Sequence, residues 1–183
     1  EVRETTEIEA TSLAKGESLY DTSRVLSGYS DVIVMRHPLA GSVAEFAEAS
    51  RVPVINGGDG DNEHPSQALL DLFTIKKELE SHSKEIDTAR IALIGDLKFG
   101  RAAHSLCKIL MLYTNISIKL VSPDKLKLPD FLISEFKKKN ISILETQDIK
   151  EGIADVDIIY MTRIQEERFD NVSEANKYKG LMS

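Results

Sequence analysis

The sequence has a single cysteine, Cys107, in 183 residues, which excludes an internal disulfide framework and a Cys-rich zinc site. It has no uncharged apolar run near the ~20 residues needed to cross a bilayer, which excludes a helical membrane span. It also lacks a basic excess. Lys and Arg total 23 against 30 Asp and Glu, a net charge of −7, and this weighs against nonspecific binding to nucleic acid or anionic membranes. No internal repeat, low-complexity tract or charged-then-apolar leader is present, and residue 1 is Glu. We therefore expect a piece of something longer, in a reducing cytoplasm, with any targeting segment outside view. Hydrophobic residues make up 42%, ordinary for a globular chain and too many for a disordered one.

What is present is alternation. Short apolar runs at 31–36, 52–56, 90–95, 116–121, 141–144 and 157–161 are separated by helical patterns at 17–28, 41–50, 65–80, 100–113, 129–139 and 148–154. Runs that are continuously apolar predict strands buried on both faces, as in parallel sheets. The alternation predicts an α/β fold with mainly parallel sheets flanked by helices. The pattern over 65–80 is the best specified: Pro65 suits a first helical turn, and Leu69, Leu72, Phe73 and Leu79 share a face. A domain boundary is expected near residues 64–85, with this helix as a bridge between two partial domains.

Polar residues gather where parallel strands end, the usual place for function in such sheets. Arg36-His37-Pro38 closes the first run. The second run ends in a Gly-rich turn, Gly57 through Asn62, which delivers His64-Pro65-Ser66-Gln67 at a helix start, where backbone N–H groups favour anions. Gly95 through Arg101 follows the third run, and Thr162-Arg163-Ile164-Gln165 follows the last. Arginines pair bidentately with carboxylate or phosphate, so small anionic substrates held between the two halves are expected. Each residue also has a plainer explanation. Arg36, Arg163 and Gln165 suit solvated strand ends, His64 a turn, Arg101 a helix start and Lys15 an ordinary surface. Asp59-Gly60-Asp61-Asn62-Glu63 lacks the ligand spacing of a calcium loop and reads as a turn. Gly95–Arg101 lacks the glycines of a dinucleotide fingerprint. Cys107, on one stripe with Leu110, reads as core.

These residues also carry a resemblance. Ser12-Leu13-Ala14-Lys15-Gly16-Glu17-Ser18, Val34-Met35-Arg36-His37-Pro38, Asn56-Gly57-Gly58-Asp59-Gly60 with His64 through Ile75, Gly95-Asp96-Leu97-Lys98-Phe99-Gly100-Arg101 and Tyr160 through Arg168 occur in one order. Together they closely resemble the catalytic chains of the aspartate carbamoyltransferase family. The Asp-Leu-Lys-Phe-Gly-Arg and Met-Thr-Arg-Ile-Gln pair separates that family from the ornithine carbamoyltransferases. The resemblance implies transfer of a carbamoyl group from carbamoyl phosphate to L-aspartate, a step of pyrimidine biosynthesis. It implies that Arg36 and His64 meet the carbonyl oxygen of carbamoyl phosphate, with Arg36 also at its phosphate, and that Gln67 orients the carbamoyl nitrogen. Arg101, Arg163 and Gln165 would hold the aspartate carboxylates, and Lys15 would reach from a mobile loop into a neighbouring subunit's site.

Residues 1–64 would then belong to a carbamoyl-phosphate-binding domain, and 65–183 to a bridging helix and an aspartate-binding domain. The assembly implied is a homotrimer of catalytic chains, alone or with regulatory chains or fused pathway enzymes, without nucleic acid or membrane. The chemistry requires no cofactor or metal: an amine attacks a carbonyl carbon, an oxyanion develops and phosphate leaves. The family's Ser-Thr-Arg-Thr and His-Pro-Leu-Pro-Arg segments do not occur here, so the chain taken alone is expected to be inactive and poorly stable. A noncatalytic domain of the same fold, kept for assembly, is the alternative from a different class. Ornithine carbamoyl transfer is the other.

Overall fold

A computed structural model of the chain describes Val2 and residues 16–165, which form an α/β structure in two units, 1–66 and 67–183. In the first unit the order is α1 (Leu19–Leu26), β1 (Ile33–His37), α2 (Ser42–Ala49) and β2 (Val54–Asp59). Helix α1 starts at Ser18, whose hydroxyl accepts from the Asp21 N–H, supplying one of the partners a helix start lacks. Strands β1 and β2 pair in parallel, with a register irregularity between Met35 and His37 that brackets Arg36. Val43, Phe46 and Ala49 of α2 provide its buried apolar residues, and the Ser23 hydroxyl of α1 donates to the Phe46 carbonyl at 2.6 Å.

Helix α3 (Pro65–Ser81) leads into the second unit, which continues with β3 (Arg90–Ile94), α4 (Arg101–Leu110), β4 (Ser117–Val121), α5 (Asp130–Lys138), β5 (Ser142–Thr146), α6 (Ile149–Ile153) and β6 (Ile158–Met161). Four parallel strands lie in the order β5-β4-β3-β6, placing β3 in the middle. One side of the sheet packs Ile91, Leu93, Ile118 and Leu120 with Leu79, Leu106, Leu110, Leu132 and Phe136. The other side holds Ala92, Ile94 and Val121. Cys107 is fully buried in the larger cluster, and burial pushes its thiol up to about 12, so it is an inert core residue.

Three expectations change. The exposed side chains of Val34, Ile55, Leu144, Ile159 and Met161 show that β1, β2, β5 and β6 are not buried on both faces, because among the described residues each is an edge strand of its sheet. The glycines at 57 and 58 are not a turn: β2 continues through them to Asp59, which pairs with His37. In α3 the buried residues are Ala68, Ile75 and Leu79, with Leu72 partly covered, while Leu69 and Phe73 are exposed. The inward stripe is thus rotated by about one residue, toward the fully buried Ala68. No helix among the described residues is long and apolar enough to cross a membrane.

Candidate active site

In the first unit, Arg36 and His64 both lie at the carboxyl end of the two-stranded sheet. Arg36 is exposed on β1, and His64 follows the loop that leaves β2. That loop is organised by Asp59, only 1% exposed. Its carboxylate accepts from the Gly41 N–H at 2.9 Å, the Asn56 amide at 2.9 Å, the Asn62 amide at 3.0 Å and the Glu63 N–H at 3.3 Å. Burial opposes its charge, but these four donors outweigh burial and hold the carboxyl below the usual range. Gly60 follows with φ +56°, and a Cβ there would lie 2.6 Å from the Ala40 nitrogen and 2.7 Å from the Pro38 carbonyl. The loops after β1 and β2 can meet only with glycine at this point. Beyond the loop, Nδ1 of His64 lies 3.4 Å from the Ser66 hydroxyl.

In the second unit, two loops leave neighbouring strands at their carboxyl ends. One, after β3, leads to Arg101 as the first residue of α4; the other, after β6, carries Arg163 and Gln165. Asp96 ties them together. Fully buried, it accepts from the Phe99 N–H at 2.9 Å within its own loop and from the Gln165 N–H at 3.1 Å across the gap. The Gln165 side chain adds a bond from its amide nitrogen to the Phe99 carbonyl at 2.7 Å. Gly95, with φ +121°, makes the approach possible, since a Cβ there would fall 2.3 Å from the Thr162 carbonyl. Arg163 is exposed, and its guanidinium donates to the Ile164 carbonyl at 3.4 Å.

Gln67, one turn into α3, donates from its amide nitrogen to Asp71 at 2.9 Å; the other oxygen of Asp71 accepts from the Tyr160 hydroxyl of β6, also at 2.9 Å. Thus Gln165 is held against the loop preceding Arg101, while Arg36 and His64 share one end of the other unit's sheet. Lys15, Ser12 and residues 166–168 lie outside the described residues. Sequence reasoning did not single out Asp59, Asp96 or Asp71 for these duties. Asp71 had a helical signal, its i+4 spacing from Gln67; Asp59 draws Asn56, Asn62 and Glu63, and Asp96 draws Phe99, from within four residues, while Gly41 and Gln165 reach them through tertiary contacts. Among the described residues, no group of three or more His, Cys, Asp or Glu is placed to hold a metal ion.

Comparison with known proteins agrees with this architecture. Residues 1–77 match the carbamoyl-P binding domain of aspartate/ornithine carbamoyltransferase, and residues 87–180 match the Asp/Orn binding domain. The aspartate carbamoyltransferase catalytic subunit of Cellvibrio japonicus is 63% identical over 179 residues, covering 98% of this chain and 53% of that protein. The catalytic subunit of M. jannaschii aspartate transcarbamoylase superposes with a TM-score of 0.83 at 48% identity, over 94% of this chain and 55% of the other. Trypanosoma cruzi aspartate transcarbamoylase, in complex with carbamoyl phosphate and aspartate, gives a TM-score of 0.79 at 42% identity, over 95% and 54% of the respective chains. The chain spans about half the length of the curated relatives it matches. With both family domains matched in order and the strand-end loops built as described, the chain belongs to the aspartate/ornithine carbamoyltransferase family.

Proposed function

We propose that these residues serve aspartate carbamoyl transfer: carbamoyl phosphate and L-aspartate give N-carbamoyl-L-aspartate and phosphate, in the cytoplasm, as a step toward pyrimidines. The observation that carries this reading is the pinning of the Gln165 loop to the loop before Arg101 by Asp96, which concentrates carboxylate-binding groups at adjacent strand ends. Arg101, Arg163 and Gln165 would hold the two carboxylates of aspartate. Arg36 and His64 would donate to the carbonyl oxygen of carbamoyl phosphate, Arg36 would also meet its phosphate, and Gln67 would receive its nitrogen. As the aspartate amine attacks, negative charge grows on that oxygen, and removing one such donor typically costs ~3 kcal/mol of barrier. Holding two anions in register also lowers the entropic cost of their meeting.

Residues 1–64 would form part of the carbamoyl-phosphate domain and 65–183 the bridging helix with part of the aspartate domain. In a trimer Lys15 would serve the neighbouring subunit. In the complete parent enzyme, mixing Lys15→Ala and Arg36→Ala subunits, each nearly inactive alone, should then restore activity toward about a quarter of wild type, one intact site per mixed trimer. Unchanged inactivity in confirmed hybrids would rule out the crossing role.

The deciding assay supplies carbamoyl phosphate with either aspartate or ornithine. It is run on the chain as it stands and on the chain inserted in place of its matching 179 residues in the Cellvibrio japonicus subunit. Product from aspartate alone in the inserted form supports the proposal. Preference for ornithine, or folded and assembled but inactive protein, overturns it. Activity of the chain by itself would overturn the expectation that it is inactive alone.

A further inference from the structure

Gln67, Asp71 and Tyr160 form a chain of hydrogen bonds whose direction is forced by chemistry. Asp71 as a carboxylate can only accept. Its Oδ2 takes the Tyr160 hydroxyl and its Oδ1 takes the Gln67 amide nitrogen, each at 2.9 Å. Burial first, and then the adjacent Asp71 carboxylate, push the Tyr160 phenol well above its ordinary range, so it remains a donor. Turning the Gln67 amide over would set its oxygen against a carboxylate oxygen, an arrangement of two acceptors with no proton between them. The amide oxygen of Gln67 is therefore directed away from Asp71. Residues 71 and 160 are 89 apart in sequence, so only the fold brings them together. Tyr160 stands two residues before Thr162, whose N–H donates to the Ile94 carbonyl where the Arg163 and Gln165 loop begins.

We propose that Asp71 and Tyr160 are positioning residues that present the oxygen of Gln67 as an acceptor, so that the site selects an acyl phosphate carrying N–H, the carbamoyl group, over one that lacks it. This rests on the function proposed above and extends it to two residues that need not touch substrate. The arrangement makes a particular prediction for Asp71→Asn. The Tyr160 hydroxyl would hold the new amide by its oxygen, leaving the amide nitrogen to face Gln67. Gln67 would then turn its oxygen inward and offer N–H groups to a ligand that also offers N–H. Adding Tyr160→Phe releases the new amide to rotate and should return part of the selectivity.

The experiment measures binding of carbamoyl phosphate and of acetyl phosphate, which has a methyl group in place of the nitrogen. Calorimetry is run on the chain and on its insertion in the Cellvibrio japonicus subunit. Wild type should prefer carbamoyl phosphate by about tenfold, the size of one good neutral hydrogen bond. Asp71→Asn should remove that preference while leaving acetyl phosphate binding unchanged, and the Asp71→Asn, Tyr160→Phe pair should regain part of it. A preference that survives Asp71→Asn, equal loss of both ligands, or a double variant no better than the single one each overturns the positioning role. Wild type that binds neither phosphate in either form overturns the proposed function itself, a separate result.

Discussion

Among the described residues, the first unit carries a two-stranded sheet with Val34 and Ile55 in solvent, and its buried apolar side chains are those of α2: Val43, Phe46 and Ala49. The described part of the second unit carries four strands, with the central β3 buried from Ile91 to Ile94 and helices α4 and α5 packed beside it. Yet both units end their strands in loops tied by one buried aspartate: Asp59 in the first, Asp96 in the second. The lesson is a division of labour. Apolar burial sets how firmly each unit is held, because its contribution scales with area removed from water. Loop shape depends instead on a few carboxylates whose every partner must be present, because a buried acceptor left unpaired is costly. A small core does not prevent an exact loop, provided the loop supplies its own donors.

Breaking the larger core should have the largest effect. Phe136→Ala should cost about 3–5 kcal/mol, measured by urea denaturation, because the side chain is fully buried among leucines that cannot collapse into its space. Hydrogen exchange would localise the loss: it should speed in β3 and β4 and leave β1 and β2 unchanged. A uniform acceleration through both units would show that they do not differ as described.

The paired glycines come next. Gly95→Ala and Gly60→Ala each place a methyl against backbone, and each should cost about 2 kcal/mol or more from strain and clash together. The consequence should stay local. On the function proposed above, Gly95→Ala should weaken aspartate binding through the Gln165 loop, and Gly60→Ala should weaken carbamoyl phosphate binding through the His64 loop. Separate titration of the two substrates against each variant would check this, and exchanged effects would break the comparison.

Electrostatics separates the units more gently. Asp59 meets only neutral donors, whereas Asp157, 6% exposed, meets Lys84 and Arg90. Burial opposes the charge of Asp157, but bonds from Lys84 and Arg90 more than offset it and hold its carboxyl well below the usual range. Because both carboxyls are depressed in the folded chain, each adds stability above the unfolded value of about 4. That contribution falls away as the pH drops below it. Asp157→Asn and Asp59→Asn should each flatten this acid limb. Added salt should weaken only the Asp157 contribution, since screening acts on exposed charged partners. Thermal melts between pH 2 and 7 at low and high salt would test the distinction.

The smallest effect should come from Ser18→Ala, about 1 kcal/mol, through loss of the N-terminal cap of α1. Amide exchange should accelerate in the first turn of that helix alone. Fraying that reached α2 would show the first unit to be more tightly coupled than its small core implies.

Every strand and α-helix among the described residues was legible in the sequence, because apolar runs and helical spacing are local patterns. Each run expected as a strand overlaps one, from Ile33–His37 to Ile158–Met161, though β1, β2 and β5 run past the expected ends. The motifs that led to the family were equally local. Legibility failed where a choice depended on a distant neighbour. The glycines at 57 and 58 carry every mark of a turn, and pairing with β1 keeps them in a strand. Leu69 and Phe73 match the apolar stripe of α3, and packing instead turns Ala68 inward. The duties of Asp59 and Asp96, and the meeting of Asp71 with Tyr160, had no sufficient signal in residue type. Donors close in sequence shape the loops of Asp59 and Asp96, but the tie from each loop to another segment forms only when Gly41 and Gln165 arrive through the fold. The sequence by itself determined the elements, their α/β order and the residues available at strand ends. The tertiary structure alone decided which face of each element is covered and which donor each buried acceptor receives, because hydrogen bonds are satisfied in space and not along the chain.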